Sequence, residues 1–239
     1  LYAEETLASL PIQYEDYAMW HRSLSHDTSV SYWVARLSGV DALALPTDYI
    51  RPQAFDYRGS SVALAIPSVL SQRIHAMALS TGATVYTVLL AVCGLLLSRF
   101  SNQEEILIGT PVANRAHPSL SNLIGFFVNT LVLNIKFEGD AYFKEVLKQL
   151  QAQMIDSQPY QDAPFEQVVD ALKVERDLSR HPLFQVMFNV GHQDHESAST
   201  LFEPLLNDYS VSRFDLSFHF IIQAGEIRGE IGYASALFK

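Results

Sequence analysis

The chain has 239 residues, of which 49% are hydrophobic and 18% are charged, and its formal net charge is −10 at pH 7. This length and composition predict a folded protein of one domain or two small ones, with a sizeable buried core. The 16 Lys and Arg residues are scattered along an acidic chain, which argues against nucleic acid as a partner.

Few features of the sequence bear on its compartment. Cys93 is the single cysteine, so the chain cannot form an internal disulfide or a cysteine-based metal site, as is typical of a reducing cytoplasm. The longest apolar run, Val85 to Leu97, has 13 residues, which is too short for a membrane span. The sequence begins with Leu and has no signal peptide, so we expect a cytoplasmic piece of a larger polypeptide, without a membrane anchor.

The first part of the chain predicts two helices, a loop and a strand. Residues Tyr14 to Leu37 have a helical pattern that breaks near Asp27, and Gly39 ends it. The prolines and aspartates between Asp41 and Arg58 predict an extended surface loop or a crossover. The alternation from Ser61 to Ile66 predicts a strand.

Two helices and an interior strand are predicted next. The first helix begins at Pro67 and ends at Gly82, which suits a left-handed cap. Thr84 caps the second helix, which runs to about Arg99. Because that helix is apolar nearly all round, we expect it to be central and fully covered. The unbroken apolar run from Ile106 to Val112 predicts a buried strand.

A strand and two helices are predicted in the following segment. In the strand from Val128 to Phe137, Asn129 is a polar residue in an apolar row, so its amide requires hydrogen-bond partners or a wet channel. A strongly amphipathic helix begins at Asp140 and stops at Pro159. Pro164 then begins a shorter helix.

The last quarter is rich in strands, predicted at Phe184 to Val190, Val211 to Ile222 and Ile227 to Tyr233. In the middle one, Asp215 lies on a polar face that either meets solvent or lines an internal tunnel. Since no Gly, Ser or Pro linker divides the chain, the sequence predicts one α/β unit with a mixed sheet packed by helices.

Five short blocks carry a family resemblance. They are YEDYAMW from Tyr14, IGFFVNTL from Ile124, DAPFE from Asp162, RDLSRHPLFQ from Arg176 and SRFDL from Ser212. Together they resemble the C-terminal half of a condensation domain from a nonribosomal peptide synthetase. Such a domain joins two carrier-bound aminoacyl or peptidyl groups by an amide bond.

The paired-histidine motif of that family, HHxxxDG, is absent from the sequence. The resemblance implies a fold like chloramphenicol acetyltransferase, with two similar lobes in a V and the motif in the first lobe. We therefore expect residues 1–239 to be the second lobe, without catalytic residues of its own and inactive in isolation. A sibling class, the epimerization domain, shares the fold, and a lobe that only docks carrier proteins is a further alternative.

The same resemblance implies the ligands and partners. Substrates arrive on the phosphopantetheine arms of carrier proteins, so no cofactor is bound directly. The expected partners are the first lobe, peptidyl carrier proteins and an adjacent adenylation domain. Near the tunnel between the lobes, the resemblance places Asn129, Thr130, Gln185 and Asp215.

Seven other motif residues are interpreted as structural. Four belong to a helix start, where Pro suits the first turn and acidic groups suit the positive end of the helix dipole: Asp162, Pro164, Phe165 and Glu166. Three form a network that fixes a loop before a strand: Arg176, Asp177 and Arg180.

Two other potential sites have weak sequence support. His192, Asp194, His195 and Glu196 carry metal-binding atoms, but their spacing differs from helical HExxH, so we predict no metal site. Cys93 lies in an apolar helix, where a thiol is normally inert.

Overall fold

A computed structural model of the chain describes residues 9–137, 139, 142–175, 177–193 and 211–239. Within these residues the helices are α1 (Tyr14–Ser23), α2 (Asp27–Leu37), α3 (Ser68–Thr81), α4 (Val85–Ser101), α5 (Phe143–Ser157) and α6 (Phe165–Leu172). The strands are β1 (Gly59–Ala65), β2 (Glu105–Val112), β3 (Asn129–Lys136), β4 (Val186–His192), β5 (Leu216–Gln223) and β6 (Glu226–Ala234). Short 3-10 helices occupy Pro118–Leu120 and Gln158–Tyr160.

The strands form one mixed sheet in the order β1-β6-β5-β4-β2-β3. Strand β4 runs parallel to both β2 and β5. The remaining pairs, β2 with β3, β5 with β6 and β1 with β6, are antiparallel. The predicted α/β class with a mixed sheet is confirmed.

Helices cover both faces of this sheet. Strand β2 shows this burial on both faces. Ile106 and Ile108 belong to one hydrophobic core, whereas Leu107 belongs to another on the opposite face. The larger core joins the sheet to α3, α4 and α5. The smaller core joins it to α2 and α6 through Trp33 and Val168. An interior strand buried on both faces is therefore apolar at successive positions.

The predicted signals at the junction of α3 and α4 are confirmed. Gly82 has a φ of 66°, a left-handed conformation that glycine adopts without steric cost. The Oγ1 atom of Thr84 accepts a hydrogen bond of 3.1 Å from the backbone N–H of Thr87.

Among the described residues no single helix has the length and apolarity of a membrane span. Helices α3 and α4 reach that length and apolarity only together, and they meet at a bend of 106°.

The expectation that α4 would be fully covered is wrong. Val92, Leu96 and Phe100 are 50%, 46% and 64% exposed. They follow one another at four-residue intervals and form one stripe along the helix. The sheet covers one side of α4 and its helical neighbours flank it, so the described part of the fold supplies no layer over this stripe.

The strand predicted from Val211 begins only at Leu216. Val211 forms an isolated bridge with Arg58, after which Ser212 turns the chain. The Ser212 hydroxyl donates to the backbone oxygen of Phe214 at 2.6 Å. A side-chain hydrogen bond of this kind competes with strand pairing and delays the start of β5.

Candidate functional site

The loop between β2 and β3 is held by Arg115. Its guanidinium donates to the backbone oxygens of Leu120 and Leu123, and it lies 4.1 Å from the centroid of the Phe127 ring. The hydroxyl of Tyr14 on α1 donates to the backbone oxygen of Phe126 at 2.9 Å. The IGFFVNTL block is thus attached to α1, which contains the YEDYAMW block.

Asn129 begins β3 and connects it to the turn before α6. Its side-chain nitrogen donates to the backbone oxygens of Gln161 and Ala163 at 2.9 and 2.7 Å. Both amide hydrogens are therefore used, and only the side-chain oxygen remains for other partners. Thr130 follows it, half-buried and opposite Pro111 in the sheet.

A cavity of about 380 Å³ lies beside Asn129. Its polar lining comes from α1, β3, α6 and the segments before α2 and α6: His21, Arg22, His26, Asn129, Asp162 and Glu166. Beside the cavity, the loop before β3 exposes three apolar side chains, Ile124, Phe126 and Val128, which we call the apolar rim. Phe126 and Val128 belong to the lining, and Trp20 on α1 is exposed beside Tyr17, which also lines the cavity.

The predicted helix start lies at this cavity. Pro164 immediately precedes α6, and its backbone oxygen accepts from the N–H of Gln167 at 3.0 Å. Glu166 lies in the first turn, where a negative charge suits the helix dipole. Asp162 precedes the helix and accepts a 3.0 Å hydrogen bond from the Ser29 hydroxyl. Phe165 points away from these groups and stacks on His181, with ring centroids 5.5 Å apart.

The RDLSRHPLFQ block forms a separate network. Asp177 accepts hydrogen bonds from the backbone N–H and the hydroxyl of Ser179 at 2.8 and 2.6 Å, and these bonds lower the pKa of its carboxyl. Arg180 lies 2.8 Å from the other Asp177 oxygen. Arg176 lies outside the described residues, so its part in the network stays a prediction.

Asp215 lies in a buried ion pair that the sequence did not reveal. Both of its oxygens accept from the Arg51 guanidinium, which also donates to the backbone oxygen of Ser179 at 3.1 Å. Gln185 is buried beside this pair, and its backbone oxygen accepts from the N–H of Asp215 at 2.9 Å. Its side-chain oxygen accepts from the N–H of Leu43 at 3.0 Å. No periodic pattern could have indicated Arg51, which lies in the extended loop before β1.

The four predicted tunnel residues therefore form two groups. Asn129 pairs with Val112 at the end of β2, whereas Gln185 precedes the start of β4. Gly109 of β2 is level with Met187 of β4, so the two groups are about five residues apart along the strands, roughly 16 Å. The cavity of about 380 Å³ belongs to the Asn129 group, whereas Gln185 lines a separate cavity of about 980 Å³. The assignment of all four residues to a tunnel stays a prediction.

Other reactive side chains offer little chemistry. Burial raises the pKa of the Cys93 thiol to about 12, so it stays protonated at neutral pH. Burial lowers the pKa of His181, which lies against the Phe184 ring with centroids 4.4 Å apart. Among the residues that the structure describes, no group of three His, Cys, Asp or Glu side chains could hold a metal ion. Asp194, His195 and Glu196 lie outside that part of the chain.

Comparison with known proteins identifies the class. The sequence profile described as "Condensation domain" matches residues 1–239. A linear gramicidin synthase of Brevibacillus parabrevis is 40% identical over 243 residues, which are 98% of this chain and 5% of that protein. Bacitracin synthase 3 of Bacillus licheniformis is 36% identical over 247 residues, 100% of this chain and 4% of that protein. The chain belongs to the condensation-domain family and spans a small part of these relatives.

Solved structures agree with this assignment. The X-domain from teicoplanin biosynthesis superposes with a TM-score of 0.87 at 26% identity, and the match covers 98% of this chain but 56% of that one. The epimerization domain from the third module of tyrocidine synthetase B has a TM-score of 0.74 at 17% identity, covering 99% of this chain and 57% of that one. The second likeness concerns the fold alone.

Proposed function

We propose that this chain is the second lobe of a condensation domain in a nonribosomal peptide synthetase. It supplies one wall of the cleft where a carrier-bound donor thioester meets an acceptor amine. One observation carries the proposal: the family profile matches the whole chain, while the chain covers little more than half of the X-domain. The absence of HHxxxDG supports it, because the imidazole that handles the proton then belongs to the other wall.

The apolar rim supports the existence of a second wall. Ile124 and Phe126 are 96% and 79% exposed, beside the cavity that contains Asn129. Adjacent large exposed apolar side chains are typical of a surface that binds a protein, a ligand or a membrane. We assign this surface to the first lobe. Carrier proteins would present their phosphopantetheine arms to the cleft, in a cytoplasmic assembly that also contains an adenylation domain.

Catalysis by such a domain depends on both walls. Amide formation from a thioester is downhill, so correct positioning of two reactants supplies much of the acceleration, up to roughly 7–11 kcal/mol in ideal cases. One wall cannot position two thioesters. Asn129, Thr130, Gln185 and Asp215 would act on the tunnel side of this wall. Asp215 would act indirectly, since Arg51 holds its carboxylate.

The test is an assay with two loaded carrier proteins. We expect no amide product from this lobe alone, and product when the first lobe of the same polypeptide is added. Turnover by the lobe alone would contradict the proposal, and so would failure of the combined lobes. Deuterium exchange at the α-carbon without amide formation would instead identify an epimerization domain, whose fold this chain also resembles. Saturable carrier binding without any chemistry would favour a docking lobe.

Loss of the apolar rim should reduce self-association of the isolated lobe. We expect the double replacement Ile124→Ser and Phe126→Ser to lower the weight-average mass toward 26.8 kDa at high protein concentration. Sedimentation velocity measures this change. Both side chains are exposed, so the unfolding midpoint should stay nearly constant.

Leu79 on α3 provides the matched control. It is 86% exposed but belongs to a different surface, so Leu79→Ser should leave the mass distribution unchanged. An equal effect of Leu79→Ser would show that general hydrophobicity, rather than the apolar rim, drives the association.

A further inference from the structure

The neutral ring of His26 has one tautomer that suits its surroundings. This buried side chain lies between α1 and α2 and lines the cavity. Its Nε2 atom is 3.4 Å from the backbone oxygen of His21. A carbonyl oxygen only accepts hydrogen bonds, so Nε2 carries the proton of the neutral ring. In this neutral tautomer Nδ1 is a lone-pair acceptor, and it has no hydrogen-bond partner among the described residues.

Asp162 faces this lone pair. Its Oδ2 atom is 3.5 Å from Nδ1 of His26, while its Oδ1 atom is occupied by the Ser29 hydroxyl. Two acceptors that face each other without a hydrogen between them repel, and a buried acceptor without a donor is unfavourable. In the neutral tautomer, the arrangement therefore calls for a hydrogen-bond donor that contacts both atoms.

The rest of the cavity also favours a donor with positive charge. The amide hydrogens of Asn129 are already used by backbone oxygens, so this side chain adds only an acceptor. Among the described residues of the lining, Arg22 is the one always-charged cation, against two carboxylates, Asp162 and Glu166. Phe126 and Val128 provide an apolar side. A small ammonium compound with a short apolar group matches these surroundings.

We propose that this cavity binds a primary ammonium group through Oδ2 of Asp162 and Nδ1 of His26. The inference rests on the proposed function and deepens it, because the acceptor aminoacyl group carries the amine that is acylated. The cavity volume of about 380 Å³ accommodates an amino-acid amide. The competing occupants are a proton on Nδ1 and a single bound water.

Nitrogen NMR of the imidazole rings tests the proposal directly. Alaninamide is titrated into ¹⁵N-histidine-labelled protein, and N-acetylalaninamide, which lacks the ammonium group, is the matched probe. We expect a saturable change in the His26 Nδ1 shift with alaninamide only. Before alaninamide is added, the proposal requires that shift to be the one of an unprotonated nitrogen.

The variant Asp162→Asn should weaken the response while the fold is kept. The asparagine oxygen can still accept from Ser29, and its NH2 group would supply the hydrogen that Nδ1 lacks. We expect affinity for alaninamide to fall about tenfold or more, the loss of a charge-assisted contact. Asp156→Asn on α5 is the control, because that carboxylate pairs with Arg36 outside the cavity and should leave affinity unchanged.

Three results would overturn the inference. They are an imidazolium in the free protein, an equal response to N-acetylalaninamide, and no saturable response to either probe, which would indicate bound water only. These outcomes are separable from the proposed function. If alaninamide fails to bind but the combined lobes still form amide, the inference falls alone. If it binds and the combined lobes form no amide, the proposed function falls and the binding site remains.

Discussion

Replacing Arg51 with alanine is expected to lower the free energy of unfolding by about 3–5 kcal/mol, because it strands a buried carboxylate without its counter-charge. The Asp215 side chain is 2% exposed, and Arg51 contacts both of its oxygens. The same guanidinium holds the loop at Ser179, so three segments of the chain lose a common anchor. Urea unfolding followed by circular dichroism measures the loss as a lower midpoint with an unchanged slope.

Arg58 provides a closely matched control. It also forms a two-point contact with an aspartate, Asp56, but its side chain is 78% exposed. Water and salt screen such a pair, so Arg58→Ala should leave the unfolding midpoint nearly unchanged. Equal losses in the two arginine variants would show that burial of Asp215 is not the cause.

A second variant separates stranded charge from lost packing. The double replacement Arg51→Met and Asp215→Leu removes both charges and keeps much of the buried volume. We expect it to recover most of the stability that Arg51→Ala loses. If it is as unstable as Arg51→Ala, the stability comes from the contacts by which Arg51 joins the loops. The explanation by an unpaired buried charge would then be wrong.

Sequence signals predicted the parts of the fold that depend on local chemistry. Gly82 ends α3 because glycine adopts a positive φ easily, and Thr84 begins α4 because its hydroxyl accepts an orphan N–H. Pro164 precedes α6 for the same kind of local reason. Each of these signals lies within a few residues of the element that it limits, so no knowledge of the distant chain is needed.

The features that sequence could not predict depend on residues far apart. Arg51 and Asp215 are separated by 164 positions, and His26 and Asp162 meet only because α2 packs beside α6. The exposed stripe of α4 was missed for a related reason. An apolar side chain indicates that burial would be favourable, but the number of layers in the fold decides whether anything covers it.

Gly109 in β2 allows Phe184 of the smaller core to pack directly against the strand, because glycine has no side chain. A Cβ atom at this position would lie 2.2 Å from Cε2 of Phe184. Phe184 is fully buried and cannot move aside easily, because the rings of Phe165, His181 and Phe214 surround it. Overpacking of a core typically costs about 1–3 kcal/mol, and we expect Gly109→Ala to lower the free energy of unfolding by about 3 kcal/mol. Urea unfolding measures this loss.

Gly191 in β4 and Phe184 itself make this prediction specific. Among the residues that the structure describes, the nearest atom to a Cβ at Gly191 is 3.9 Å away, so Gly191→Ala should change stability by less than about 0.5 kcal/mol. Phe184→Leu alone opens a cavity, but combined with Gly109→Ala it vacates the space that the new methyl group needs. The double variant should therefore be more stable than the sum of the single losses implies. Strict additivity would show that Gly109 acts through backbone conformation, and that the close approach of Phe184 is not what requires glycine.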